Sequence, residues 1–309
     1  MINRVLIRAK VVQMLYAYMV SKDSMTLTTA KKELTKSLDK SYELYNALLK
    51  LMIELTDVQD LRLDEAKHKF LPTEEDLNPN MRFVENEFVK RLRADQTLAD
   101  FVDDKKINWR DDELFVRLLL DKILRSEEYQ EYMEMPKTSL VRDGEVWYQL
   151  MKKVVLPDEN LLEHLQSMSV YYTDDDLQII GQFVMKTIRR FEDEEAQPIL
   201  PQYKNDDDSK FGEQLFSKAV AEMEENNSYN DQFVKTEKWD VERIALMDRV
   251  VMCTALTEIR NYPSIPVNVS LNEYIELAKD YSTPRSGQFV NGILNAVVNK
   301  LRADKVIIK

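Results

Sequence analysis

Residues 284–303 carry the sequence PRSGQFVNGILNAVVNKLRA, and this stretch indicates the fold class of the chain. Its apolar residues recur at the spacing of one helical face: Phe289, Ile293, Ala296, Val297 and Leu301. Thr283 directly precedes Pro284, and a capping residue followed by proline is typical of a helix start. The spacing therefore predicts a helix over 284–303 that buries this face.

The segments before this stretch show further helical patterns. Ser270 is followed three residues later by Glu273, which is the spacing of a capping box and predicts a helix start at Ser270. Apolar periodicity and breakers together predict helices over 4–20, 27–70, 174–195, 209–227, 240–261 and 270–281. Prolines and an acidic triplet mark residues 197–209 as a linker. We therefore expect an all-α protein.

Glycine is rare, with only 5 among 309 residues, whereas about 7% is usual. This shortage argues against β-rich folds and against the glycine-rich loops that hold nucleotides. Gly287 and Gly292 have the spacing of two glycines of a phosphate loop, but Ile293 and Leu294 stand where that loop needs Lys and Ser or Thr. The sequence also has no G-x-G-x-x-G motif.

Residues suited to catalysis or metal binding are few. The chain has two histidines, His68 and His164, and a single cysteine, Cys253, whereas a structural zinc site needs about four such ligands. Adjacent aspartates such as those at 174–176 are more typical of helix starts than of catalytic pairs. We therefore expect no metal, no other cofactor and no enzymatic activity.

Charge is distributed unevenly along the chain, which carries a net charge of −12. Residues 1–50 have a net charge of +5 and residues 281–309 of +4, whereas residues 51–280 have −21. An acidic protein is a poor candidate for nucleic-acid binding, but two basic ends that met in space would form a suitable surface. No stretch reaches 18 apolar residues and no secretion signal is visible, so we expect a cytoplasmic protein without a membrane partner.

Four segments, in the same order, resemble motifs of the bacterial NusB transcription antitermination family. Residues 208–215 are similar to D-x-x-F-x-x-x-L, and residues 239–249 to W-x-x-x-R-[LI]-A-x-x-D-R. Residues 265–279 are similar to I-P-x-x-V-x-I-N-E-x-I-E-L-A-K, and residues 286–294 to S-x-x-F-V-N-G-[IV]-L. Each motif is modest alone, but four in register are specific.

The N-terminal helix adds to this resemblance. Residues 8–16 read RAKVVQMLY, which is similar to the family's R-x-x-x-x-Q-x-L-Y. The resemblance therefore covers about residues 1–21 and 208–303. We accordingly divide the chain into the first helix of a NusB-like domain at 1–21, a helical insertion at 22–200 and the remainder of the domain at 201–309.

The resemblance implies an all-α bundle of two small helical subdomains, here with an inserted helical region. Family members bind boxA, a short single-stranded element of nascent ribosomal RNA transcripts, together with the small-subunit ribosomal protein NusE. This partner joins the complex to RNA polymerase. The resemblance thus implies an RNA-binding transcription antitermination factor whose partners are boxA-type RNA, NusE and, indirectly, RNA polymerase.

The resemblance also implies site residues. The positions matched to the family's RNA-binding surface are Arg4, Arg8, Gln13, Tyr16, Arg285, Gln288 and Phe289. Glu258 matches a position at the partner and RNA edge, and its alternative interpretation is a solvent-facing helix residue. Tyr16 and Phe289 have core packing as their alternative. Gly292 most simply allows close packing of helices.

Two other functions are weighed against this one. Val5 and Leu6 stand where family members carry further arginines, so fewer phosphates would be neutralised. This smaller number of arginines on the first helix favours a helical protein-interaction module that has kept the bundle and lost specific RNA binding. A NusB-like domain also precedes the catalytic domain of a ribosomal RNA cytosine methyltransferase family, but the absent glycine motif and the single cysteine argue against that enzyme.

Overall fold

The computed structural model describes residues 1–21, 23–191, 197–234 and 244–307. These residues form fifteen α-helices and no β-strand, so the all-α prediction is confirmed. In chain order the helices are α1 (Arg4–Val20), α2 (Leu27–Lys67), α3 (Glu74–Leu77), α4 (Glu87–Ala94), α5 (Gln96–Lys105), α6 (Glu113–Arg125), α7 (Glu127–Glu134), α8 (Leu140–Leu150), α9 (Glu159–Met168), α10 (Asp174–Arg190), α11 (Asp206–Ala221), α12 (Met223–Val234), α13 (Leu246–Asn261), α14 (Val267–Tyr281) and α15 (Ser286–Ala303).

The chain divides into two compact units. The terminal unit comprises residues 2–38 and 203–309, and the central unit comprises Met1 and residues 39–202. The division lies at residues 38 and 202, whereas the motifs suggested an insertion over 22–200. Residues 23–38 thus belong with the terminal unit, and where the family domain begins and ends stays a prediction.

The terminal unit is built on α1, the first part of α2, and helices α11 to α15. The Asn3 side chain accepts a hydrogen bond from the Leu6 amide at 3.0 Å and so caps α1. Gly212 on α11 allows a close approach, because a Cβ there would lie 3.0 Å from Ile7 on α1 and 3.4 Å from Leu38 on α2. These contacts bury one side of α1 and the start of α2 against α11.

The central unit has its own core around two tryptophans, Trp109 and Trp147, both fully buried. Trp109 Nε1 donates a hydrogen bond to the Ala47 carbonyl at 2.9 Å, which anchors the segment before α6 to α2. Asp143 on α8 is also buried and accepts a hydrogen bond from Tyr132 Oη at 2.8 Å. Buried polar groups of this kind are satisfied by partners on neighbouring helices.

Several helix boundaries differ from the predicted ones. Helix α14 begins at Val267 rather than at Ser270, and α15 begins at Ser286 rather than at Pro284. The observed α13 starts at Leu246, and residues 239–243 of the predicted tryptophan motif lie outside the described residues. The acidic run at 192–195 likewise lies outside them. Within the described ranges, no helix combines the length and apolar character needed to cross a membrane.

Candidate functional site

A groove of about 530 Å³ lies in the terminal unit, between the end of α12 and the first turns of α15. It brings together three of the predicted site residues, Arg285, Gln288 and Phe289. Arg285 and Gln288 are exposed, whereas Phe289 is half-buried, so Phe289 does not belong to the fully buried face of α15. The volume falls within the range of about 300–1,000 Å³ that is usual for small-ligand sites.

The start of α15 is held by hydrogen bonds that leave its outer side chains in solvent. The Thr283 amide donates to Ser286 Oγ at 3.1 Å. Ser286 Oγ in turn donates to Asp248 Oδ2 on α13 at 3.0 Å, and both residues are buried. Among the described residues, none forms an ion pair with Arg285. Arg285 thus presents an exposed positive charge beside the groove, at the N-terminal end of α15.

Gly292 lines the same groove, and its role differs from the predicted one. A Cβ at Gly292 would meet no described atom within 4 Å, so the prediction that it allows close helix packing is wrong. Gly287 does allow such packing, because a Cβ there would lie 2.6 Å from Cγ of Lys279 on α14. The two glycines of the motif thus differ in their surroundings. Gly287 lies against Lys279 on α14, whereas Gly292 has no described atom near its Cβ position.

The groove also contains residues that the sequence analysis missed. Phe233 and Val234 on α12 line it opposite the α15 side chains, with Phe233 half-buried and Val234 buried. They lie outside all four family-like motifs, and the predicted helix over 209–227 stopped before them. No local pattern marks them, because only the packing of α12 on α15 brings them to the groove.

Arg8 and Glu258 form a buried ion pair in the terminal unit. Arg8 Nε lies 2.8 Å from Glu258 Oε2, and Arg8 Nη2 lies 2.9 Å from Glu258 Oε1. Their side chains are 4% and 0% exposed. The interpretation of Glu258 as a solvent-facing residue is therefore wrong. Both predicted site residues lie inside the unit and hold α1 to α13.

Two further donors complete this buried cluster around Glu258. Ser270 Oγ donates to Glu258 Oε1 at 2.6 Å, and Tyr274 Oη donates to Oε2 at 3.1 Å. Ser270 thus lies inside α14, and the predicted capping box is wrong because its hydroxyl binds a tertiary partner instead. Burial and the neighbouring Glu258 charge raise the pKa of Tyr274 well above its ordinary value. Burial opposes the charge of Arg8, but its bonds to Glu258 outweigh that effect and raise the pKa of Arg8.

Arg4 is also engaged with a carboxylate. Its Nε lies 2.8 Å from Asp208 Oδ1, and its guanidinium carbon lies 4.9 Å from the centre of the Phe211 ring. The Arg4 side chain remains 34% exposed, so it is accessible in part. Asp208 and Phe211 belong to the family-like motif at 208–215, which here serves to fasten α1 to α11.

Gln13 and Tyr16 lie on a surface-facing part of α1. Gln13 Nε2 donates to Tyr281 Oη at 3.0 Å, which joins α1 to the end of α14. The following segment, 282–285, leads directly into α15. Tyr16 is 36% exposed, so the alternative that it packs in the core is wrong. The structure thus places the middle of α1 beside the segment that leads to the groove.

The described residues offer little for metal chemistry. Within them, no group of three or more His, Cys, Asp or Glu side chains is placed to hold a metal ion. Cys253 is buried, and burial raises the pKa of its thiol to about 12. Such a thiol is protonated at neutral pH and a poor nucleophile.

Comparison of the sequence with protein-family models finds a match to one family. The family model described as NusB family matches residues 176–299. This match does not include α1, so the prediction that residues 1–21 supply the family's first helix stays a prediction. The structure packs α1 within the terminal unit, beside the helices of the motifs.

Three curated relatives are named transcription antitermination protein NusB. The Salinibacter ruber protein is 41% identical over 88 residues, which are 28% of this chain and 54% of that protein. The Natranaerobius thermophilus protein is 33% identical over 109 residues, which are 34% of this chain and 77% of that protein. The Chloroherpeton thalassium protein is 41% identical over 73 residues, which are 24% of this chain and 35% of that protein. The chain thus spans about half of the Salinibacter protein and a third of the Chloroherpeton protein.

A solved structure of T. maritima NusB is also similar, at 22% identity and a TM-score of 0.29, over 53% of this chain and 92% of that one. The family assignment rests on sequence, since the Natranaerobius relative exceeds 30% identity over three quarters of its own length. On this ground, and with the motifs at 208–215, 265–279 and 286–294 in described helices of one unit, the chain belongs to the NusB family.

Proposed function

We propose that this protein is a transcription antitermination factor that binds boxA-type single-stranded RNA of nascent ribosomal RNA transcripts. The observation that carries the proposal is the groove beside α15, where Gln288 and Phe289 of the family motif at 286–294 lie together with Arg285, the residue directly before the motif. An arginine can bind a phosphate, an amide can bind a base edge, and an aromatic ring can stack on an unpaired base. The proposed role is binding, without a catalytic step.

The proposed partners follow from family membership. NusE, the ribosomal protein, would bind the same unit and increase the affinity for RNA, and it would join the complex to RNA polymerase. The protein alone is expected to bind RNA weakly, because Arg8 is buried in an ion pair and Arg4 shares its charge with Asp208. These two arginines of α1 are thus engaged with carboxylates, which reduces their contribution to phosphate neutralisation.

One experiment tests this function. The affinity for a labelled boxA-containing RNA and for a scrambled RNA of equal length is measured by fluorescence anisotropy, with and without NusE, over a series of salt concentrations. We expect a preference for the boxA RNA that increases with NusE, and a loss of affinity in Arg285→Ala and Phe289→Ala. Equal affinity for the two RNAs under all conditions would refute the proposal.

The engaged arginines of α1 favour a second candidate. If α1 presents no cation beyond the partly exposed Arg4, the bundle suits a helical protein-interaction module that has lost specific RNA binding. In that case NusE binds with the same affinity in the presence and absence of boxA RNA. The two candidates are thus distinguished by whether the RNA and the protein partner strengthen each other's binding.

A further inference from the structure

The end of α2 extends beyond the core of the central unit. Gln59 is the last buried residue of α2, and the next buried residue of the chain is Phe83. The structure describes all of the intervening residues, 60–82, and none of their side chains is buried. Packing of the core therefore gives no reason for apolar side chains in this stretch.

Apolar side chains nevertheless lie in solvent at the turn that follows α2. Phe70 is 97% exposed and Leu71 is 81% exposed. Leu77, the last residue of α3, is also exposed. Single exposed apolar residues are ordinary on protein surfaces, whereas clustered ones mark sites of interaction. Two adjacent, almost fully exposed apolar residues therefore make this turn a candidate contact for another molecule.

The segment that carries this exposed pair, residues 69–77, is held in one shape by its own polar groups. Lys69 Nζ lies 2.8 Å from Asp76 Oδ1, so an ion pair joins the residue before Phe70 to α3. The Thr73 amide donates to Asp76 Oδ2 at 3.0 Å, and the Asp76 amide donates to Thr73 Oγ1 at 3.1 Å. An ordered segment loses less conformational entropy when a partner binds it.

Carboxylates without a cationic partner lie before and after the exposed pair. Four acidic side chains of residues 60–76 form no ion pair with any described residue: Asp60, Glu65, Glu74 and Glu75. The basic side chains of α2 in this stretch are already engaged, since Arg62 pairs with Asp121 and Lys67 pairs with Asp64. The 69–77 segment thus presents apolar side chains within a surplus of negative charge.

These features fit a protein surface on which lysines or arginines surround an apolar pocket. The pocket would bury Phe70 and Leu71, and the basic groups would pair with the carboxylates. A second copy of this chain would bring the same carboxylates against each other at a two-fold interface, which is unfavourable. An RNA would bring phosphates to them, which is unfavourable for the same reason.

We propose that the 69–77 segment docks onto a basic protein surface of the transcription assembly, with Phe70 and Leu71 as anchors and Glu74 and Glu75 as partners for basic groups. The proposal rests on the proposed function for the identity of that assembly. It gives the central unit a role of its own, because the RNA would bind the terminal unit while the central unit would bind a protein.

Photo-crosslinking tests which molecule the segment contacts. Phe70→p-benzoylphenylalanine is introduced into the full chain, which is then assembled with NusE, boxA RNA and core RNA polymerase. Val141, an exposed apolar residue of α8 in the same unit, is the control position. We expect position 70 to crosslink to a protein stretch rich in Lys and Arg, and position 141 to give no such product. A crosslink to RNA or to a second copy of this chain, or no crosslink, would overturn the proposal.

Binding measurements test the two anchors. The affinities of NusE and of core RNA polymerase are measured by biolayer interferometry for the full chain loaded with boxA RNA. We expect one of these two proteins to bind roughly tenfold more weakly, or worse, when Phe70→Ser and Leu71→Ser are combined. The melting temperature and the affinity for boxA RNA alone should not change, because the replaced side chains are exposed. Val141→Ser should bind both proteins as the wild type does.

Neutralising the carboxylates tests the basic character of the partner. Glu74→Gln combined with Glu75→Gln should weaken the same interaction several-fold at low salt, and the difference should vanish at about 1 M salt, where charges are screened. Unchanged affinity at low salt would show that the partner surface is not basic and would overturn the proposal.

The outcomes separate the docking role from the proposed function. A wild type without any preference for boxA RNA, whose position 70 still crosslinks to a basic protein, would refute the function and leave the docking role standing. A wild type that prefers boxA RNA, with a Phe70→Ser and Leu71→Ser variant that binds both proteins equally well, would overturn the docking role and leave the function standing.

Discussion

Arg8 and Glu258 are 250 residues apart in the chain, and in the structure they form two hydrogen bonds of 2.8 and 2.9 Å inside the terminal unit. Glu258 is fully buried and also accepts hydrogen bonds from Ser270 and Tyr274. A buried carboxylate with four short polar contacts holds three helices, α1, α13 and α14, in one arrangement. The pair predicted to meet RNA and a partner protein is thus internal.

Removing Arg8 should therefore act on stability. Arg8→Ala leaves the Glu258 charge buried without its cation, and breaking a buried ion pair in this way costs about 3–5 kcal/mol. Arg4→Ala is the matched control, because the Arg4–Asp208 pair is partly exposed and such pairs contribute about 1 kcal/mol or less. Urea unfolding followed by circular dichroism measures both. An equal loss of stability in the two variants would contradict the assignment.

Replacing Gly292 should raise stability. Gly292→Ala removes a flexible residue from the interior of α15 and adds a methyl group that meets no described atom, so the free energy of unfolding should increase by about 0.5–1 kcal/mol. Gly287→Ala is the contrasting variant, because its Cβ would lie 2.6 Å from Lys279 Cγ and displace that side chain. A destabilised Gly292→Ala would show that the position is packed in solution.

Arg285 should account for part of the salt dependence of RNA binding. Each phosphate neutralised on a single strand contributes about 0.7 to the slope of log affinity against log salt, so Arg285→Ala should flatten the slope by about that amount. Lys300→Ala serves as control, because Lys300 lies near the other end of α15 and pairs with Asp304 at 3.3 Å. If both variants keep the wild-type slope, Arg285 does not contact a phosphate.

Cys253 should be unreactive in the folded protein. Burial raises the pKa of its thiol to about 12, so almost no thiolate exists at pH 8. A chromogenic disulfide reagent should release no colour from the native protein and one equivalent after denaturation, since the chain has one cysteine. Rapid labelling on mixing would show that this part of α13 opens in the native state.

Stability should fall at alkaline pH, partly through Tyr45 in the central unit. Burial raises the pKa of its hydroxyl to about 12, and Tyr45 Oη lies 2.6 Å from Thr187 Oγ1. The unfolded state ionises first, near pH 10, so stability is complete below pH 10 and is lost as pH rises toward 12. Tyr45 alone should lower the free energy of unfolding by up to about 1.4 kcal/mol per pH unit in that interval. Tyr45→Phe should therefore show a shallower decline than the wild type between pH 9 and pH 11, and parallel declines would exclude a contribution from Tyr45.

Much of the local structure was predictable from the residues alone. Apolar periodicity predicted α1 with its observed bounds, and it predicted the end of α2 three residues beyond the observed end. This was possible because the apolar residues of one helix face recur at a fixed spacing along the chain. The motif at 286–294 and Arg285 directly before it were enough to group Arg285, Gln288 and Phe289, since residues three and four apart on one helix share a side. These three candidate residues needed no tertiary information.

The tertiary structure decided which residues face inward and which residues line the groove opposite α15. The family resemblance implied that Arg8 and Glu258 belong to a binding surface, and the local pattern suggested that Ser270 is a cap and that Gly292 packs against a neighbour. For Arg8, Glu258 and Ser270 the interpretation changed because the partner lies on another helix, whereas a Cβ at Gly292 would meet no described atom within 4 Å. Phe233 is the clearest case, since it reaches the groove only through the packing of α12 on α15. The sequence by itself determined the helices, the family and one wall of the groove. Long-range packing decided the buried ion pair and the opposite wall, because contacts between distant segments leave no periodic trace in a single sequence.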